Sequence, residues 1–257
     1  MNWNSSSGPA LATLLFLTLF SISGFAQNIP DLSGTWSDPP PRAEDAFCHI
    51  GCAIEAREYF TQLLNDPANI DFSYTQLRAR AQGFQNSELI PSHLTAAASE
   101  QRSSIRNARP RVASCDPWGL VRTTMAPHAM ELNQYETEVT LYYSEWTVFR
   151  TVYLDGRERP VDGEPRIYGF SVGHYEGDSL VVETTGISAN NFGTGGFTHS
   201  DQLSVTERFS RKGGRLEIEV ILTDPLTLEK PLHMARAWAW APGEEIYPYD
   251  SCVVPEA

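Results

Sequence analysis

The chain has 257 residues, 41% of them hydrophobic and 20% charged, with a formal net charge of −13. That length supports a full hydrophobic core in one or two domains. The acidic balance disfavours nucleic acid and anionic membrane surfaces as partners, and its plainest meaning is solubility.

The first segment, Met1–Ala26, carries the apolar run Ala10–Phe20, then small residues and Gly24-Phe25-Ala26 before Gln27. This fits a secretory signal peptide, although no Lys or Arg precedes the apolar run and only the amino terminus supplies positive charge. The run falls short of the ~20 residues a membrane-spanning helix needs, which counts against the rival reading of an uncleaved anchor. No Cys stands at the cleavage point to take a lipid. The expectation is a periplasmic or extracellular protein with no stable membrane insertion once the signal is removed, and residues 27–257 forming a single domain.

Export makes sense of the four cysteines, Cys48, Cys52, Cys115 and Cys252, because an even count in an exported chain favours disulfides. Three pairings are possible and the residues do not choose among them. The preferred one is a local Cys48–Cys52 bridge and a long Cys115–Cys252 bridge, the latter contributing on the order of 4 kcal/mol by loop entropy. Cys48-His-Ile-Gly-Cys52 lacks the order of a haem attachment site, and no second pair completes a zinc site.

Leu32–Trp36 reads as a first strand, interrupted by Asp38 and the prolines Pro39, Pro40 and Pro41. Ala43–Leu64 then recurs at helical spacing through Phe47, Ile50, Ala53, Ile54, Phe60 and Leu63, with Glu44 and Asp45 in its first turn. Cys48 and Cys52 fall four apart on that helix, where a bridge requires an irregular turn near Gly51. Tyr74–Gln82 and His93–Asn107 are further helical candidates. Residues 43–109 therefore read as a helical or partly irregular insertion.

After Pro110 the pattern turns to β. Strands are expected at Leu120–Thr124, Ala129–Gln134, Glu136–Ser144, Thr147–Leu154, Arg166–His174, Ser179–Thr185, Asp201–Ser210, Arg215–Thr223, Pro231–Trp240 and Ile246–Asp250. Turns at Asp155-Gly156, Glu176-Gly177-Asp178 and Lys212-Gly213-Gly214 join short strands at near-regular spacing, which predicts a mainly β fold: an antiparallel barrel or curved sheet, lipocalin-like, with the helical insertion near its N-terminus. Alternation places Arg150 with Val148, Val152 and Leu154, and Glu207 with Leu203, Val205 and Phe209. A charge on a core-side face must find a partner or water.

Tyr153–Arg157 (YLDGR), Gly173–Ile187 (GHYEGDSLVVETTGI) and His199–Phe209 (HSDQLSVTERF) are similar to segments of a large family of exported bacterial proteins known mainly as hypothetical proteins. Leu32–Trp36, Cys115-Asp116-Pro117-Trp118-Gly119, Thr223-Asp224-Pro225 and Cys252 follow in the family's order. The resemblance covers residues 31–37 and about 115–253 and leaves out 43–109. Tyr175 stands where the family usually has Trp, and Glu158 where it continues toward a His. The resemblance implies a fold and a compartment but no mechanism, and the shared Cys115 and Cys252 favour the long bridge.

Two imidazole–carboxylate pairs stand out, His174 with Glu176 and His199 with Asp201. Residues two apart on extended chain share a side, and such a pair can serve general acid–base chemistry or hold a divalent metal. The plainer reading is of solvated turn residues. Ser200 between His199 and Asp201 does not make a hydrolase triad, since three successive residues do not converge and no nucleophile elbow is present. Arg150 and Glu207, with Glu183 and Asp155, form a second constellation that serves either a ligand or strand register. Tyr153, Trp238 and Trp240 are candidates for an aromatic cavity wall, or for ordinary core.

The leading expectation is a barrel that binds a small, largely apolar molecule in its interior, with His174, Tyr153, Glu183, Trp238 and Trp240 lining the site. The alternative is a cofactor-free hydratase, isomerase or hydrolase using His199 and Asp201 with Arg150 and Glu207. Neither assigns a metal or a cofactor.

Overall fold

The computed structural model describes residues 1, 29–38, 47–48, 51–105, 118–191 and 198–247. The strands among them are β1 (Gly34–Ser37), β2 (Cys52–Ala53), β3 (Met130–Gln134), β4 (Glu138–Tyr143), β5 (Val148–Tyr153), β6 (Phe170–Glu176), β7 (Ser179–Thr185), β8 (Asn190–Asn191), β9 (Thr198–His199), β10 (Ser204–Lys212), β11 (Arg215–Thr223) and β12 (Leu232–Trp240). The helices are α1 (Ile54–Asn65), α2 (Tyr74–Phe84), α3 (Ala96–Ile105) and α4 (Leu120–Met125).

Nine strands close a barrel in the order β1, β3, β4, β5, β6, β7, β10, β11, β12, and β12 returns to β1 through Trp36 opposite Trp240 and Ser37 opposite Ala239. Closure leaves no long strand edge open. The mainly β barrel with helices near its N-terminus is the fold class expected from the sequence. One seam departs from a simple meander: β5 and β6 are parallel and pair only Val152 with Ser171 and Tyr153 with Val172. Parallel neighbours need a crossover connection, so residues 154–169 carry the chain from the end of β5 back to the start of β6.

β3, β4, β5, β10 and β11 alternate buried and less buried positions, as a wall with one core face must. The inward set includes Trp36, Leu132, Leu141, Tyr143, Val182, Phe209, Ile218 and Trp238, each at most 1% exposed. These side chains fill the barrel interior. Trp36 also donates its indole N–H to the Leu32 carbonyl at 2.9 Å, and its ring meets Trp240 edge-on at 5.0 Å. Gly34 is required beneath that pair. At φ 131° it adopts backbone that other residues avoid, and a Cβ there would lie 2.1 Å from the Trp240 ring.

α4 corrects one expected strand. Leu120–Thr124, expected as a strand, folds as part of a short helix whose Leu120, Val121, Thr123, Thr124 and Met125 are all buried. Its role is to close one end of the barrel, and burial in that position overrides weak local propensity. Other boundaries shift. β6 begins at Phe170 rather than Arg166, and α1 begins at Ile54 rather than Ala43. Residues 246–247 are not strand, and 248–250 lie outside the described residues.

The helical segment docks on the barrel through backbone pairing. β2 adds to β12 with Ala53 opposite Met234 and Cys52 opposite Ala235, and Thr95 N donates to Thr227 O at 2.9 Å. Cys48 and Cys52 are disulfide-bonded, with Cα atoms 4.8 Å apart. Because Cys52 belongs to β2 and not to a helix, the bridge does not strain α1. Cys115 and Cys252 lie outside the described residues. α1 buries Ala56, Phe60 and Leu63, and Phe60 stacks on Phe47 at 5.1 Å. α2 starts at a capping box in which Ser73 and Gln76 satisfy each other's backbone N–H groups. No helix among the described residues is long and apolar enough to cross a membrane.

Candidate functional site

The charges that alternation placed on core faces do meet. Arg150 from β5 and Glu207 from β10 form a two-pronged ion pair inside the barrel, with Nη1 donating to Oε1 at 2.9 Å and Nη2 donating to Oε2. Arg150 Nε donates to Ser171 Oγ at 2.9 Å, and Nη2 donates to Thr184 Oγ1 at 2.7 Å. The two hydroxyls are 2.9 Å apart. β5, β6, β7 and β10 are consecutive in the barrel, so one guanidinium ties four neighbouring strands, including the short parallel seam. Burial pushes the Arg150 proton affinity down, but Glu207 more than offsets this and the net direction is up.

Around this pair, Tyr143 is buried with its hydroxyl beside Thr124 and Arg150. Burial pushes its phenol up, while Arg150 pulls the other way. Thr124 of α4 brings its hydroxyl to within 3.5 Å of Glu207 Oε1 and accepts at its carbonyl from Arg236 Nη1 at 3.2 Å. Arg236 is itself buried on the inward face of β12, where it also reaches Asp38 and the His128 carbonyl. The sequence reading passed over it, although the alternation Met234, Arg236, Trp238, Trp240 carries the same signal that marked Arg150.

His199 and Asp201 part company. His199 is buried and its Nδ1 lies 3.0 Å from the Ser200 carbonyl, whereas Asp201 is exposed in a turn. The rule that residues two apart share a side fails because the strand ends at His199. The carboxylate that does organise this loop is Asp224. It accepts from Ser200 N and Ser200 Oγ, each at 2.7 Å, and from Leu226 N at 3.1 Å and Thr227 N at 3.3 Å. Burial works to raise the Asp224 carboxyl, and these donors outweigh it, leaving the carboxyl below its usual range. Asp224 lies in the turn motif noted in the sequence, but only the donors that converge on it identify its role.

The other candidates are dispersed. His174 lies on the outer face, 3.1 Å from Glu176, and Arg208 also holds Glu176. Hydrogen bonds from Arg208 and then His174 keep Glu176 below the usual carboxylate range. Glu183 is exposed between the inward Val182 and Thr184, so it cannot join Arg150 and Glu207. Asp155 is clamped by Arg157 at the surface, and that bond keeps its carboxyl low. Trp238 is fully buried, donating to the His128 carbonyl at 3.2 Å, and Trp240 is half-buried beneath Arg211. Both belong to the packed core or its rim. Tyr153 faces outward, its ring 5.3 Å from that of Phe170.

Three clefts are described. One of about 310 Å³ lies at the barrel mouth, between α4, the helical segment and the start of β12. A second, of about 540 Å³, lies between the crossover 154–169 and β5. A third, of about 380 Å³, is lined by His199, Ser200, Thr198, Leu226 and α3. Of Arg150, Glu207, His174 and His199, only Arg150 lines the second and only His199 the third, so the proposed acid–base constellation does not assemble in one place. Among the described residues, no three His, Cys, Asp or Glu side chains gather as a metal site.

No protein-family model matches the sequence, and no curated protein matches it. Among solved structures, the wild-type fluorescent protein UnaG is 17% identical over 42% of this chain and 70% of its own, with a TM-score of 0.23. One of its point mutants is 16% identical, covering 56% of this chain and 91% of its own, with a TM-score of 0.26. A secretary abundant heat soluble protein from Ramazzottius varieornatus is 7% identical over 55% of this chain and 86% of its own, with a TM-score of 0.23. At such scores the likeness carries no argument about ligand or activity, and the barrel stands on its own strand pairing.

Proposed function

We propose that this is an exported barrel protein that binds a small, largely apolar molecule at the barrel mouth rather than at the barrel centre. The carrying observation is the cleft of about 310 Å³ walled by Phe47, Ile90, Trp118, Val121, Met125 and Met234. Its size lies at the low end of the ~300–1,000 Å³ of small-molecule sites, and apolar walls with a few polar groups are what such sites use. Gln82, Gln85, Asn86 and Arg122 supply the polar groups. Arg122 lies 3.5 Å over the Trp118 ring, a cation–π contact that holds this aromatic wall in place.

The packed interior explains the location. Arg150, Glu207 and their hydroxyl partners fill the centre, α4 closes the end, and the helical segment then provides a second wall against α4. The insertion that lies outside the family resemblance thus completes the site. A neutral apolar fluorophore such as N-phenyl-1-naphthylamine tests this. Gln82→Trp, a partly exposed position on the rim, is expected to fill the cleft and reduce probe affinity at least tenfold, while Glu183→Gln on the far outer face leaves it unchanged. Equal binding by the Gln82→Trp variant and the parent overturns the mouth site.

A further inference from the structure

The crossover 154–169 brings Arg157, Arg159 and Arg166 to one cleft of about 540 Å³, in a chain whose formal charge is −13. Guanidinium groups gathered on one concave surface repel unless something neutralises them. Arg157 is neutralised: it clamps Asp155 and lies 4.0 Å over the Tyr153 ring. Arg159 and Arg166 form no ion pair among the described residues. Arg159 Nη1 donates to the neutral Gly163 carbonyl at 2.8 Å, and among the described residues neither Arg159 nor Arg166 has an acidic partner, although Glu158 and Glu164 line the same cleft.

Arg159 is nevertheless held by its side chain, and Arg166 by its backbone alone. Arg159 packs so closely on Gly186 that a Cβ there would come within 2.7 Å of its Nη1. Arg166 is fixed through its backbone, its N–H donating to Gly186 O at 2.9 Å and its carbonyl accepting from Gly169 N at 3.0 Å and Ser188 N at 2.9 Å. Part of the remaining wall is aromatic, with Tyr153, Tyr168 and Phe170 beside Phe149, which is 71% exposed. A guanidinium held without an ion pair and a second one exposed beside it, set against rings, form a surface suited to negative charge at one end and a flat apolar body at the other.

We infer that this cleft is a second binding site, one for a small organic anion, with Arg159 and Arg166 taking a carboxylate or sulfonate and the ring of the ligand lying against Tyr168 and Phe170. The site is independent of the mouth cleft, since the two share no lining residue. Arg–carboxylate recognition supplies orientation, and the aromatic wall supplies buried area.

The test is titration calorimetry with 2-naphthoate and its neutral counterpart 2-naphthalenemethanol, on the whole protein. Naphthoate is expected to bind at least tenfold more tightly than the alcohol, and to weaken as salt rises from low to physiological. The Arg159→Gln/Arg166→Gln double variant is expected to lose that preference while keeping the parent's circular dichroism spectrum. Single Arg166→Gln, at an exposed side chain, gives a partial loss without risk to folding. The Gln82→Trp variant is expected to bind naphthoate as the parent does. Equal affinity for acid and alcohol overturns the proposal, as does naphthoate binding that survives the double variant or disappears with Gln82→Trp.

Discussion

Two buried carboxylates, Glu207 in the barrel wall and Asp224 at the exit from β11, are kept in place by different means. Glu207 faces a guanidinium that is itself buried, so each charge depends on the other. Asp224 faces no cation in its hydrogen-bonding set. It is held by three backbone N–H groups and one hydroxyl from Ser200, Leu226 and Thr227. The difference teaches what each can tolerate. A charge pair in low dielectric is costly to halve and cheap to remove whole, whereas a carboxylate held by oriented dipoles is replaceable by a neutral group of the same shape at moderate cost.

The largest effect is expected in the barrel wall. Arg150→Met or Glu207→Leu alone leaves one buried charge without its partner, at a cost of ~3–5 kcal/mol in urea unfolding. The double variant Arg150→Met/Glu207→Leu is expected to recover most of that loss, because both desolvation penalties go together and Ser171 and Thr184 still bond each other. A double variant no more stable than the singles would show that the guanidinium is needed to hold the parallel seam. In that case Arg150 earns its place through the Ser171 and Thr184 bonds rather than through Glu207.

Asp224→Asn is expected to cost less, ~1–3 kcal/mol, since an amide oxygen still accepts part of the donor set. The sign of its pH dependence follows from the lowered carboxyl. A folded value below the unfolded one of ~3.9 means that Asp224 contributes stability above that pH and loses it as pH falls through the folded value. Parent stability therefore drops more than that of Asp224→Asn between about pH 5 and about pH 3, and urea midpoints at the two ends measure it. Parallel curves for the two proteins would mean that the carboxylate charge itself contributes nothing at the turn.

The contrast also marks what the residues could announce in advance. Glu207 and Arg150 were legible because strand alternation puts them among Val148, Val152, Val205 and Phe209, and physics demands a partner for each. Ser171 and Thr184 were not, since small hydroxyl residues suit either face of a sheet. α4 was missed because Leu120–Met125 is too short to show a helical period, and its conformation is set by burial at the barrel end. His199 and Asp201 misled for a related reason: their spacing has meaning only on extended chain, and the chain turns at Ser200. The mouth cleft and the cleft beside His199 were the least legible, because each is built from segments far apart in sequence that only the closed barrel brings together.

The smallest effect is expected from an ion pair of the same chemistry as the first but on the outside of the wall. Arg208 and Glu176 are joined by one bond where Arg150 and Glu207 make two, and Arg208 is 42% exposed and Glu176 51%. Water already solvates both groups and salt screens them over ~8 Å, so the pair gains little by meeting. Arg208→Gln in physiological salt is accordingly expected to leave the urea midpoint within experimental error, and His174→Ala, which removes the other partner of Glu176, to do the same. A shift as large as that of Arg150→Met would mean that the outer faces of β6 and β10 are covered in the working protein, because only exclusion of water gives an Arg–Glu pair that weight.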